Sequence, residues 1–103
     1  MNCIAVVTTI GSIVEAQSLA RALVERKLAA CAQISVIESF YTWNDEVQND
    51  KEYRVLFKTV NQRYTEIEDA IRELHSYDLP AIHAFAFEQV YAAYGEWIEA
   101  NAA

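Results

Sequence analysis

The spacing of apolar residues changes along the chain, and each change marks an element. From Cys3 to Thr9 the residues are β-branched or small with hardly a break, which predicts a buried strand. Gly11 interrupts it. Ser12 followed by Glu15 has the form of a capping box, in which side chains at a helix start satisfy its first free amides. Ala16, Leu19, Ala20, Leu23 and Val24 then recur at helical steps and make one apolar stripe, while Arg21, Glu25 and Arg26 fall outside it. The helix is predicted to finish near Lys27 or Leu28, where cations suit the negative end of its dipole.

A long strand is predicted from about Ala30 to Trp43, with Ile34, Val36 and Phe40 on one parity and Ile37, Tyr41 and Trp43 on the other. Asn44-Asp45-Glu46, extended by Gln48-Asn49-Asp50, reads as a polar hairpin connection. Tyr53 to Thr59 follows as a third strand, with Tyr53, Val55 and Phe57 facing one way and Arg54, Leu56 and Lys58 the other. A second helix is predicted over Gln62 to Leu74, capped by Asn61 or Thr59, with Tyr64, Ile67, Ile71 and Leu74 as its stripe. After Pro80, Ile82 to Phe87 reads as a fourth strand. Tyr91 to about Asn101 reads as a last helix with Tyr94, Trp97 and Ile98 on one side.

The order β-α-β-β-α-β makes this an α+β chain with the pattern of a ferredoxin-like sandwich, plus an extra C-terminal helix, in one domain over residues 1–103. Two helices hide one face of such a sheet. The other face should then turn polar, yet strand four carries Phe85 and Phe87 on one parity and Ile82, Ala84 and Ala86 on the other. Association of copies is the expected cover, with partial cover by the last helix as the competing arrangement.

Composition narrows the classes of function. A net charge of -7 argues against general nucleic-acid binding, which rests on cations facing phosphates, and fits a protein that attracts cations. Cys3 and Cys31 have no C-x-x-C spacing, which predicts free thiols in a reducing compartment. The opening Met1-Asn2-Cys3-Ile4 does not read as a secretory leader, and no apolar run reaches the roughly 18 residues of a membrane span. A cytoplasmic protein without a membrane partner is expected.

Phosphate-binding loops, nucleophile elbows, dinucleotide fingerprints and paired-ligand zinc motifs are all missing from the sequence, so an enzyme is not expected. The candidates are scattered side chains. Cys31, at a helix-to-strand junction, is either a small packing residue or a metal or redox ligand. His75 either caps the second helix or offers a neutral imidazole to a metal or ligand. Lys58 either reaches solvent or pairs with Glu52 or Glu88, or else is a fixed cation in a cleft. Tyr41 and Trp43 read as interface anchors, and Tyr94 and Trp97 as core or interface.

Taken in order, Leu23-Val24-Glu25-Arg26-Lys27-Leu28-Ala29-Ala30-Cys31, Tyr41-Thr42-Trp43, Glu52, Lys58-Thr59, His75-Ser76-Tyr77-Asp78-Leu79-Pro80 and Tyr94-Gly95-Glu96-Trp97-Ile98 form a pattern that resembles the CutA-type divalent-cation tolerance family. The resemblance spans nearly the whole chain. It implies a ferredoxin-like fold assembled as a homotrimer, with long second strands and hairpins joining subunits at an interface that includes Tyr41, Trp43, Tyr94 and Trp97. It further implies a metal ion (copper or another divalent cation) or a small ligand in clefts between subunits, lined by Lys58, Tyr77, Glu52 and Cys31, with His75 as the metal ligand. The alternative is a signalling or scaffolding trimer, similar in architecture to PII-type trimers, that acts through a protein partner. Family members put forward as copper binders carry a Cys at the end of the first strand, adjacent His residues, and a Pro-Glu after the Tyr. Here those places hold Thr8 or Thr9, Leu74-His75 and Pro80-Ala81.

Overall fold

In the computed structural model, which describes residues 2–103, the expected order holds: β1 (Cys3–Ile10), α1 (Ile13–Glu25), β2 (Cys31–Trp43), β3 (Glu46–Val60), α2 (Tyr64–Leu74), β4 (Ile82–Ala86) and α3 (Ala92–Asn101). The four strands form one sheet in the order β2-β3-β1-β4, with every neighbouring pair antiparallel. This is the α+β sandwich expected from the order of elements.

β1 lies inside the sheet and is covered on both sides, which is why it reads as an unbroken apolar run. Ile4, Val6 and Ile10 face α1 and α2, packing with Leu19 and Leu23, with Val55 and Phe57 of β3, and with Ile67 and Ile71. On the opposite face Cys3 meets Val60, Ile98 and Ala102 in a smaller cluster that seats α3. The last helix therefore covers one end of the second face. Phe85, also on that face, stays 54 % exposed.

Local chemistry sets the helix ends. The Ser12 hydroxyl accepts from the Glu15 amide at 3.4 Å, so the N-terminal cap falls where the capping pattern placed it. At the other end α1 stops at Glu25, short of the expected Lys27 or Leu28. Lys27 takes a left-handed φ of 59°, and the Leu28 amide donates to the Leu23 carbonyl at 3.0 Å, a closing turn that ends the helix. Helix two differs as well. A 3₁₀ turn over Asn61–Arg63 leads into α2, and no side chain caps it, neither Asn61 nor Thr59. The Thr59 hydroxyl instead donates to the Leu28 carbonyl at 2.7 Å.

The largest departure is the hairpin. The polar stretch read as its connection is mostly strand: β3 begins at Glu46, and Asn44 and Asp45 alone make the turn, with φ of 52° and 62°. Two successive positive φ values are the geometry whose twist matches that of paired strands. Thirteen register pairs, from Cys31–Lys58 to Trp43–Glu46, join β2 to β3, so the ladder overruns the helices. Out there Val36, Phe40 and Val47 are 62, 68 and 75 % exposed, and Tyr41 and Trp43 on the other side are 41 and 51 % exposed.

Candidate functional site

The overrunning hairpin makes one wall of a cleft of about 560 Å³. Strand alternation turns Tyr41 and Trp43 of β2 to the same side as Glu52 of β3. The segment between α2 and β4 supplies the opposite wall with Tyr77, Asp78 and Leu79, and Thr9 at the end of β1 closes the base.

Glu52 lines the inner end of the cleft. It is only 7 % exposed, and the Tyr77 hydroxyl donates to its Oε2 at 3.0 Å. No lysine or arginine pairs with it among the described residues. Burial together with the Glu52 carboxylate pushes the Tyr77 phenol up to about 12, since an anionic phenolate beside a carboxylate is disfavoured. The Tyr41 hydroxyl donates to Asp50 on the next strand, and that bond is the main reason its phenol is also held above the usual tyrosine range.

Two neighbours position Tyr77. His75 lies beneath it, with ring centroids 4.7 Å apart. The histidine Nδ1 accepts from the Tyr77 amide at 3.0 Å, so the proton sits on Nε2, which donates to the Thr9 carbonyl at 2.8 Å. Gly11 provides room: a Cβ there would lie 2.9 Å from the Tyr77 hydroxyl. His75 thus ties the end of α2 to the end of β1, and Gly11 lets the phenol reach Glu52.

The residues expected in one cleft fall into two groups within a single chain. Glu52, Tyr77 and His75 gather at the hairpin end, together with Tyr41 and Trp43, which were expected at an interface. Lys58 stands six residues further along β3, about 20 Å away at the usual strand rise. Its ammonium donates to the Tyr94 hydroxyl at 3.1 Å, pairing with neither Glu52 nor Glu88, and Tyr94 stacks on Trp97 with centroids 5.7 Å apart. Cys31 is opposite Lys58 in register and half-buried. The sequence reading missed Thr9, Gly11, Asp50, Asp78 and Leu79. A two-residue turn at Asn44-Asp45 would have revealed Asp50, because it sets Tyr41 opposite Gln48 and makes Asp50 its diagonal neighbour.

The donor set does not fit copper or another divalent ion within one chain. No group of three or more His, Cys, Asp or Glu among the described residues could hold a metal ion, and both His75 nitrogens already serve backbone groups.

Comparison with known proteins gives a consistent result. The family model described as CutA1 divalent ion tolerance protein matches residues 4–101. The divalent-cation tolerance protein CutA of Thermococcus kodakarensis is 34 % identical over 98 residues, covering 95 % of this chain and 94 % of its own. Among solved structures, the periplasmic divalent cation tolerance protein CutA from Archaeoglobus fulgidus superposes with a TM-score of 0.96 at 31 % identity, covering 98 % of this chain and 99 % of that one. The divalent cation tolerance protein from Thermus thermophilus gives 0.94 at 32 % identity, again covering 98 and 99 %. No helix among the described residues is long and apolar enough to cross a membrane.

Proposed function

Because the chain belongs to the CutA1 divalent ion tolerance family, we propose that it works as a homotrimer holding a small ligand in clefts that the copies complete for one another. The observation that carries this reading is Glu52: a nine-tenths buried acidic residue, without a cation partner among the described residues, with Tyr41 and Trp43 about half exposed further out on the same side of the hairpin. Burying a charge this way is costly unless something complements it. Half-exposed aromatics on an overhang are what association would bury. A neighbouring copy could also bring Lys58 and Cys31 to the cleft that their own chain keeps apart. Copper or another divalent ion enters this reading only with donors from more than one copy.

Two unpaired cysteines fit a reducing, cytoplasmic setting, although the Archaeoglobus relative is described as periplasmic. The protein-partner alternative draws on the same exposed hairpin.

Sedimentation equilibrium at low micromolar concentration tests the assembly, with a mass of three chains expected. Isotherms with Cu(II) and Zn(II), run on that species and on Glu52→Gln, test whether the ligand is a metal. A stable, folded single chain would overturn the proposal.

A further inference from the structure

Glu52 and Arg54 stand two residues apart on β3, so strand alternation turns both to the face of the sheet away from α1 and α2. Their charges are opposite and their places adjacent, yet they form no ion pair with each other. Tyr77 takes Oε2 of Glu52, and no protein donor among the described residues takes the other oxygen, although the residue is 7 % exposed. Thr8 alone among the described residues has a sealed side-chain atom without a partner, so that second Glu52 oxygen opens to solvent. Arg54 is half-buried, and no carboxylate pairs with it among the described residues. Two opposite charges, each short of a complement, thus share a face that α3 covers only at its far end.

Lys58, the other cation on this face of β3, is already engaged: its ammonium donates to the Tyr94 hydroxyl at 3.1 Å and lies 5.3 Å from that ring's centre. Arg54 is not. Its guanidinium is a planar fork of donors suited to a carboxylate with an open oxygen. Along this face of β3 the acids Glu46, Asp50 and Glu52 lie on the hairpin side, and Arg54 and Lys58 lie on the α3 side. The row changes sign once, between residues 52 and 54. A second copy laid against it in the opposite sense meets opposite charge on both sides of that point. We propose that Glu52 of one copy pairs with Arg54 of a neighbouring copy, so that each copy completes the inner end of another's cleft. This deepens the association reading of the cleft and rests on it.

Sedimentation equilibrium of the full chain tests the pairing. Arg54→Glu sets carboxylate against carboxylate and should raise the concentration of half-dissociation about tenfold or more. Joining it with Glu52→Arg in one chain exchanges the two signs and should recover most of that loss. Arg54→Lys keeps the charge and supplies an amine for carbodiimide coupling, which should join residue 54 of one copy to residue 52 of another. Co-refolded chains of two isotopic compositions mark such links in the mass spectrum as made between copies, and Glu52→Gln should remove them. An assembled protein whose mass Arg54→Glu does not alter, or whose copies show no link between residues 52 and 54, would overturn the pairing and leave association standing. A folded single chain for the unaltered protein would overturn both. The coupling experiment decides the matter even if the exchanged pair does not fold.

Discussion

Thr8 has a buried hydroxyl with no hydrogen-bond partner among the described residues, on the helix-facing side of β1, and the residue is 0 % exposed. An unsatisfied buried hydroxyl costs about 1–3 kcal/mol, so Thr8→Val, nearly the same shape, should raise stability by about 1 kcal/mol, read as a higher urea midpoint at fixed chain concentration. Tyr77 makes a prediction of the opposite kind. Its folded-state phenol at about 12 lies above the ordinary value of 10.0, so between those limits the native state binds the proton the unfolded chain has lost. That contribution is complete below pH 10 and disappears as the pH rises through 12. Tyr77→Phe should therefore flatten this part of the stability profile, and ultraviolet titration should show one high-pH phenol fewer. Neither effect could be read from sequence. Thr8 looks like any β-branched strand residue, and the position of Tyr77 depends on Gly11 and His75, which the chain brings to it from separate elements.

Among the elements, those with a single environment along their length were legible. α1 and α2 each bury one stripe, with Leu19 and Leu23 or Ile67 and Ile71 against the sheet, and their periodicity follows directly. The hairpin was not. Its outer part carries Val36, Phe40 and Val47 with Asn49 on one side and Tyr41 and Trp43 with Glu46, Gln48 and Asp50 on the other, so each face mixes apolar and polar residues and the period-two signal fails. What holds it is the backbone ladder and the Asn44-Asp45 turn. Asp45, at a φ of 62°, stands where glycine is the usual residue. Asp45→Gly should raise the thermal midpoint by an amount equivalent to about 0.5–1 kcal/mol, measured by circular dichroism.

For the whole molecule, the apolar strands already implied a sheet side that one chain leaves partly uncovered, and α3 covers only the end near Cys3. Which residues would share a site depends on how copies meet, and the family resemblance grouped Lys58 with Glu52 in a cleft between subunits, whereas one chain alone keeps them apart. If copies associate through the overhang, folding and assembly are linked by mass action, and the thermal midpoint should rise with chain concentration. Trp43→Ala, removing the largest exposed side chain of the hairpin, should weaken that dependence and shift sedimentation toward the single chain. A midpoint independent of concentration in the unaltered protein would count against association.

The nearness of Gly11 to Tyr77 also bears on how such chains can change. A methyl group at residue 11 would collide with one oxygen atom, and with no other side chain that close. Loss of that oxygen, as in Tyr77→Phe, would lift the ban on alanine at residue 11, and its return would restore it. Two positions on separate elements are thus bound to drift as a pair, and either change made first decides what the other may become.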